Sequence, residues 1–420
     1  MLEPSPFSVS VNDRFDAVIA GSGFAGLTLA AALARGLGPQ SLLAVISREP
    51  VPASPAAPDS RAVTLSAASV RMLDILGIWP LCRAAAEPVT AIDISDSSLD
   101  AGVRPISLSY DNHLASGEPA SYVIPVPALS SAVSATIQQL PNVTLIRCSA
   151  VTTFESSTNA VSITLVPGRT LSANLLVAAD GAHSPLRAMA GIKTVGRPYT
   201  QTGITVTVRH EKPHGGRAVQ HFLPAGPFAM LPLPGNRSCI TWSEESASAT
   251  RLLALDDSAF VAELELRAGG RLGALTLDGP RQSWPLELAL PRALVARRFA
   301  LVGDAAHAVH PLAGQGLNLG LRDVAALAEV IVDTHRVGLD IGASPALQRY
   351  ERWRRSDTVF SAAGYDGLNR LFSSDGPLRR SLREAALGLV HRLPQLKQLL
   401  VAEAAGTSGD LPRMLRGEPI

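Results

Sequence analysis

Ala300-Leu-Val-Gly303-Asp304-Ala-Ala-His307-Ala-Val-His310-Pro311-Leu-Ala-Gly314-Gln315-Gly316-Leu317-Asn318-Leu-Gly-Leu-Arg-Asp323 is the stretch whose reading decides the fold. Phe299 to Val302 form an apolar strand that ends at Gly303-Asp304, where a carboxylate is placed to accept hydrogen bonds from sugar hydroxyls. Pro311, Gly314 and Gly316 then turn the backbone tightly. Leu317, Leu321, Val324, Ala328 and Ile331 recur at helical spacing, so a helix starts between Gln315 and Leu317. That start aims free N–H groups and the positive end of the helix dipole at whatever lies before it. Strand, carboxylate, tight turn and helix N-terminus together suit a ribityl phosphate and a ring that is negatively charged when reduced. The run reads as a flavin site.

A second glycine cluster stands near the N-terminus. Gly21-Ser-Gly23-Phe24-Ala25-Gly26 splits the uncharged run Ala17 to Ala34 into a strand (Asp16 to Ala20) and a helix (Ala25 to Arg35), so the run is not a membrane span. In a first βαβ unit, Gly21 permits the turn, Gly23 lets backbone approach a pyrophosphate, and Gly26 lets helix and strand pack closely. The next strand, Leu42 to Ile46, should end at an acidic residue that binds ribose. Ser47 stands there instead, with Glu49 two residues later; either is left as the ribose contact.

Two further segments complete the set. Leu175 to Asp180-Gly181 is a buried strand running into a turn that offers a carboxylate and unhindered backbone. Asp59-Ser-Arg61 offers an arginine for the pyrophosphate, ahead of a helix containing Val70, Leu73 and Leu76. Taken singly, Asp180-Gly181 is also an ordinary turn and Arg61 a solvated side chain. Four such elements in this order make one nucleotide site.

In these motifs, and in Gln201-Thr-Gly-Ile, Gln220, Phe222-Leu-Pro, Leu231-Pro-Leu and Trp242-Ser-Glu244, the chain resembles the class A flavoprotein monooxygenases of the p-hydroxybenzoate hydroxylase type, and most closely the ubiquinone-biosynthesis hydroxylases. The resemblance covers nearly the whole chain. It implies FAD contacts at Gly21, Gly23, Phe24, Ala25, Gly26, Arg61, Asp180, Gly303, Asp304, Pro311, Gly314, Gln315, Gly316, Leu317 and Asn318. It also implies hydroxylation of a prenylated phenol through a flavin C4a-hydroperoxide, with O₂ as co-substrate and NAD(P)H or a reductase partner as electron donor. One position departs: after Tyr122-Val-Ile, relatives carry an acidic and a polar residue where this chain has Pro125 and Val126, so no flavin contact is assigned there. No catalytic residue is assigned beyond Pro311 and His307 as candidates beside the flavin. For His307, hydrogen bonding or packing at the turn is the favoured role, ahead of that of a base. A metal at His307 and His310 lacks a third ligand at fitting spacing.

The fold implied is α/β, with a Rossmann-like FAD-binding domain interleaved with an antiparallel substrate sheet, followed by C-terminal helices. The boundaries read as FAD-binding over 14–100, 126–196 and 286–345, substrate strands over 101–125, substrate sheet over 197–285, and a helical region over 346–420. Ile204, Val206 and Val208 alternate with Thr205 and Thr207, the period of half-buried strands, and Phe222, Pro224, Leu231 and Trp242 are candidate pocket walls.

With 420 residues and 46% hydrophobic content the chain buries a sizeable core. A net charge of +1, from 37 basic and 36 acidic residues, gives no reason to expect nucleic acid as a partner. Cys82, Cys148 and Cys239 have neither metal-ligand spacing nor a disulfide framework, which fits a reducing cytoplasm. Met1 to Asn12 lacks a basic n-region and does not read as a secretory signal. Between Arg370 and Lys397, six basic residues face two acidic ones among regularly spaced apolar residues. A pair of helices packed on the body is the first reading; peripheral contact with an anionic inner-membrane surface is the second. Two other functions remain open: a monooxygenase of a soluble aromatic metabolite, and a non-catalytic flavin-binding subunit of a quinone-biosynthesis complex.

Overall fold

Gly21 breaks the long uncharged run as the motif requires, leaving the strand Arg14–Ala20 and the helix Phe24–Gly36. The computed structural model describes residues 13–48, 59–99, 104–148, 150–309, 315–355 and 393–420. Glu49, residues 50–58, His310, Pro311, Gly314 and the basic stretch up to residue 392 lie outside the described residues.

Arg14–Ala20 is an inner strand of the first sheet, parallel to Leu43–Ser47 on one side and Thr170–Ala178 on the other. Val143–Arg147 and Phe299–Leu301 extend the sheet outward, again in parallel. Such strands are covered on both faces and read as unbroken apolar runs. Ala17, Val18 and Ile19 accordingly have no exposed surface, nor have Leu175, Leu176 and Val177. The hairpin Val151–Ser156 and Val161–Leu165 joins antiparallel along Thr170–Ala178. The helices Phe24–Gly36 and Gln315–Arg336 pack on this sheet in a single core.

The second sheet is antiparallel except where Arg217–Leu223 lies parallel to Ala91–Asp96. Its long strand, Thr194–His210, pairs with Arg237–Glu245 and also with Gln282–Pro291. Gly226–Leu233 lies between Arg237–Glu245 and Arg217–Leu223. Because Ala91–Asp96 belongs here, the chain crosses into this sheet before residue 101. The helices Ser246–Leu253 and Asp257–Ala268 cover one face, around Phe228, Trp242 and Phe260.

The alternation at Ile204 to Val208 gives a strand buried on both faces. Thr205 and Thr207 are as enclosed as their apolar neighbours because each hydroxyl donates to a carbonyl, Ile240 O at 2.8 Å and Ser60 O at 2.7 Å. The two sheets are joined by a backbone pair. Ala289, on the strand Gln282–Pro291, exchanges two N–H to O bonds of 2.9 Å with Ala308, on the loop that follows Asp304. Among the described residues no helix is long and apolar enough to cross a membrane.

Candidate active site

The Gly21 turn is set by contact. Gly21 has φ of +121°, and a Cβ on it would stand 2.1 Å from the Ala179 carbonyl oxygen; one on Gly26 would stand 2.0 Å from the Gly21 oxygen. These two glycines let strand and helix meet. Gly23 differs, since nothing lies within 4 Å of where its Cβ would be. It opens, with Phe24 and Ala25, onto a cavity of about 830 Å³.

Gly181, Gly303, Asp304, His307, Gln315, Gly316 and Leu317 line the same cavity, as does Arg61 at the start of the strand Ala62–Ser66. The helix Gln315–Arg336 thus directs its first turn, the positive end of its dipole, at the cavity, where it favours negative charge. Asp304 turns its side chain toward the open space, and the protein around it raises its carboxyl above the usual range through burial. Asp180 is likewise raised by burial, against hydrogen bonds from Ser184 and the Leu186 N–H. Its Oδ1 is buried with no hydrogen-bond partner among the described residues. Asp180 itself is not among the residues that line the cavity, whereas its neighbours Ala179, Gly181 and Ala182 are. The open Gly23 and Gly181, the cavity-lining Asp304 and the helix start together suit FAD.

Other expected residues take different places. Asn318 is buried behind the cavity wall: its Oδ1 accepts from the Ser66 N–H at 2.9 Å and from Ser69 Oγ at 2.8 Å, and its Nδ2 donates to Thr64 O at 2.9 Å. It ties the long helix to the strand Ala62–Ser66. Ser47 is hydrogen-bonded to Ser22 of the glycine turn at 2.7 Å. Arg61 pairs with Asp59 at 2.6 Å while about half exposed, and that bond raises its pKa. Val126 lines the cavity, and its N–H donates to Arg61 O at 3.0 Å, so this position supports Arg61 through backbone.

His307 lies in a buried charged group. Its Nε2 is 2.6 Å from Asp323 Oδ2, which also accepts the Gly303 N–H at 3.1 Å. Asp323 Oδ1 accepts from Arg354 Nε at 2.9 Å. Burial opposes the charged form of His307, but the Asp323 carboxylate outweighs it and raises the imidazole pKa. Burial likewise works against ionisation of Asp323, and the charges of His307 and Arg354 overcome it to hold that carboxyl low. With its Nε2 committed to Asp323, His307 is placed to brace the turn, so the geometry favours hydrogen bonding there over service as a base.

The far wall comes from the second sheet. Phe222 and Leu231 line the cavity, whereas Trp242 and Pro224 do not. Trp242 faces the covering helices, with the Arg267 guanidinium 4.2 Å from its ring centroid and its Nε1 donating to Glu244 at 3.2 Å. Its strand neighbours Thr241 and Ser243 face the cavity, as does Gln220. Sequence reasoning carried Gln220 and Ser243 only as motif residues and missed Thr241 and Ala404, which lines the cavity beside Gln315; the Gln315 Nε2 to Ala404 O distance is 3.4 Å. The alternation on each strand could have singled out Thr241 and Ser243, but nothing local marks Ala404. Among the described residues no group of three His, Cys, Asp or Glu could hold a metal.

Residues 14–355 match the model of a family described as FAD binding domain. The chain is 42% identical to the ubiquinone hydroxylase UbiL of Rhodospirillum rubrum, covering 99% of this chain and 96% of that one. It is 31% identical to the 3-demethoxyubiquinol 3-hydroxylase of Escherichia coli K12, over 94% and 99% of the two chains. The fold matches the crystal structure of p-nitrophenol 4-monooxygenase PnpA from Pseudomonas putida DLL-E4, with a TM-score of 0.75 at 19% identity, covering 95% of this chain and 100% of that one. With the cavity bounded by the elements that its sequence motifs single out, this chain belongs to the FAD binding domain family.

Proposed function

We propose that the chain is an FAD-dependent monooxygenase that hydroxylates the aromatic ring of a prenylated phenol in ubiquinone biosynthesis. The observation that carries this reading is one continuous cavity with nucleotide-binding elements on one side and a largely apolar sheet on the other. Bound FAD supplies the activation of O₂; the reductant is NAD(P)H or a reductase partner. Gly21, Gly23, Gly26, Arg61, Asp180, Gly303, Asp304 and Gln315 to Leu317 hold the cofactor. Ile92, Ile94, Ala218, Phe222 and Leu231 exclude water from the reacting ring. A phenol is activated by its own oxygen, so no side-chain base is required. Leu393 and Leu399 are exposed on the segment that leads to the cavity-lining Ala404, which supports delivery of an apolar tail along that segment from a membrane surface or from a quinone-biosynthesis complex.

The test is deletion of the gene in a quinone-producing bacterial host, with complementation by wild type and by Asp304→Ala. An accumulated prenylated phenol one hydroxyl short, cleared by wild type and not by the variant, is the expected result. Unchanged quinone with no such intermediate, in a host without a second hydroxylase for the step, overturns the reading.

A further inference from the structure

The register of the second sheet sets the cavity-facing side chains in rows across the strands. Ile94 pairs with Gln220, Gln220 with Ala229, Ala229 with Thr241, and Thr241 with Thr205. All five line the cavity. The row on one side holds Ile92, Ala218 and Leu231; that on the other holds Phe222, Pro227 and Ser243. Polar groups therefore concentrate in one line across a mainly apolar wall.

Within that line the groups are not equivalent. Thr205 Oγ1 donates to Ile240 O at 2.8 Å. Gln220 is only partly buried, and its amide has no hydrogen-bond partner among the described residues. Gln201, another glutamine of this sheet, shows the contrast by donating from Nε2 to Ala225 O at 2.7 Å. Between Gln220 and Thr241 stands Ala229, whose methyl leaves a shallow gap. Two strand spacings separate the backbones across it by roughly 10 Å. A gap of that width, with an amide at one side and a hydroxyl at the other, accepts a flat ring bearing oxygen substituents.

Resting on the functional reading above, we propose that Gln220 determines ring specificity: its amide hydrogen-bonds an oxygen substituent of the aromatic substrate, with Thr241 as its counterpart across Ala229, and so selects the ring carbon presented for hydroxylation. An amide both donates and accepts, so it serves a phenol or a methoxy oxygen alike. Loss of the contact frees the ring to rotate in the apolar slot.

The experiment uses purified FAD-loaded wild type, Gln220→Leu, Gln220→Glu and Thr241→Val with a short-chain prenylated phenol. Substrate dissociation constant, hydrogen peroxide released per O₂ consumed, product position and flavin content are measured together. Gln220→Leu should weaken substrate binding about 3- to 10-fold, the range of one neutral hydrogen bond. It should also send most of the O₂ to hydrogen peroxide or scatter the product position, with flavin content unchanged. Gln220→Glu, which keeps an acceptor, should fall between the two, and Thr241→Val should show a smaller effect of the same kind. Wild type that hydroxylates, beside a Gln220→Leu variant that keeps affinity, coupling and product position within twofold, overturns the Gln220 assignment alone. Wild type that binds and hydroxylates no such phenol overturns the functional reading and this assignment with it.

Discussion

Replacing Asp323 by asparagine tests the buried charge group most directly. The carboxylate has no exposed surface and serves three donors at once: His307, Arg354 and the Gly303 N–H. Asparagine keeps the shape and one acceptor oxygen but removes the charge that Asp323 presents to the Arg354 guanidinium and to His307. Breaking a buried ion pair in this way costs about 3–5 kcal/mol. For a chain of 420 residues the unfolding entropy near the melting point is about 0.9 kcal/mol per kelvin, so the melting temperature should fall by about 3–6 °C.

The pH dependence is fixed by the direction of each shift. His307 is raised in the folded state, so its contribution is complete below the ordinary imidazole range and lost as pH rises through the folded value. Asp323 is lowered, so its contribution is present above the ordinary carboxyl value of 3.8 and lost only as pH falls through the folded one. The gap in melting temperature between wild type and Asp323→Asn should therefore be widest in mildly acidic to neutral buffer and narrow toward alkaline pH. It should not close, because Arg354 remains charged. Thermal unfolding followed by circular dichroism across that range checks both points. A shift under about 1 °C, or a gap that widens with rising pH, would refute the assignment of the three groups as one ionised unit.

The glycines of the first turn should separate folding from binding. Gly26→Ala forces a methyl 2.0 Å from a backbone oxygen and should abolish soluble, folded protein, read as yield and melting behaviour. Gly23→Ala meets nothing within 4 Å, so the FAD-free protein should melt as wild type does while FAD affinity falls at least about tenfold in a flavin-fluorescence titration. Equal behaviour of the two variants would contradict the separation of roles. Arg61→Ala removes an exposed ion pair worth at most about 1 kcal/mol, so stability should hold while FAD retention on gel filtration drops. Asn318→Ala should instead lose about 1–3 kcal/mol of stability through the unpaired Ser66 and Thr64 groups, measured by urea unfolding.

The nucleotide half of the site was legible because its chemistry is carried by backbone and by contiguous residues. Gly21, Gly26 and Gly303 are needed where chain segments touch, and such needs leave a mark in sequence. The ring-facing wall left a weaker mark. Its strands are covered on both faces, so apolarity does not tell which face looks into the cavity, and Trp242 turned out one residue away in parity from Thr241. Asn318 illustrates a different limit: it stands inside the helix-start motif, yet its amide is committed to the strand Ala62–Ser66 and makes a structural clasp. Asp323 closes the same motif, but its partner Arg354 lies 31 residues further on, a distance fixed only by the packing of the C-terminal segment.

The Ala289 to Ala308 bridge means that the strand carrying Trp284 and Leu286 into the cavity wall also sets the position of the loop that carries Asp304. A molecule altered at this strand is altered on both sides of the reaction space. Transplanting a foreign substrate sheet onto this FAD-binding half, in search of a new specificity, would have to preserve the length from Trp284 to Ala289 residue for residue. A single insertion there would shift the wall residues Trp284 to Glu287 relative to Ala289 and withdraw the loop's anchor in the same step. The two halves are inherited as one piece.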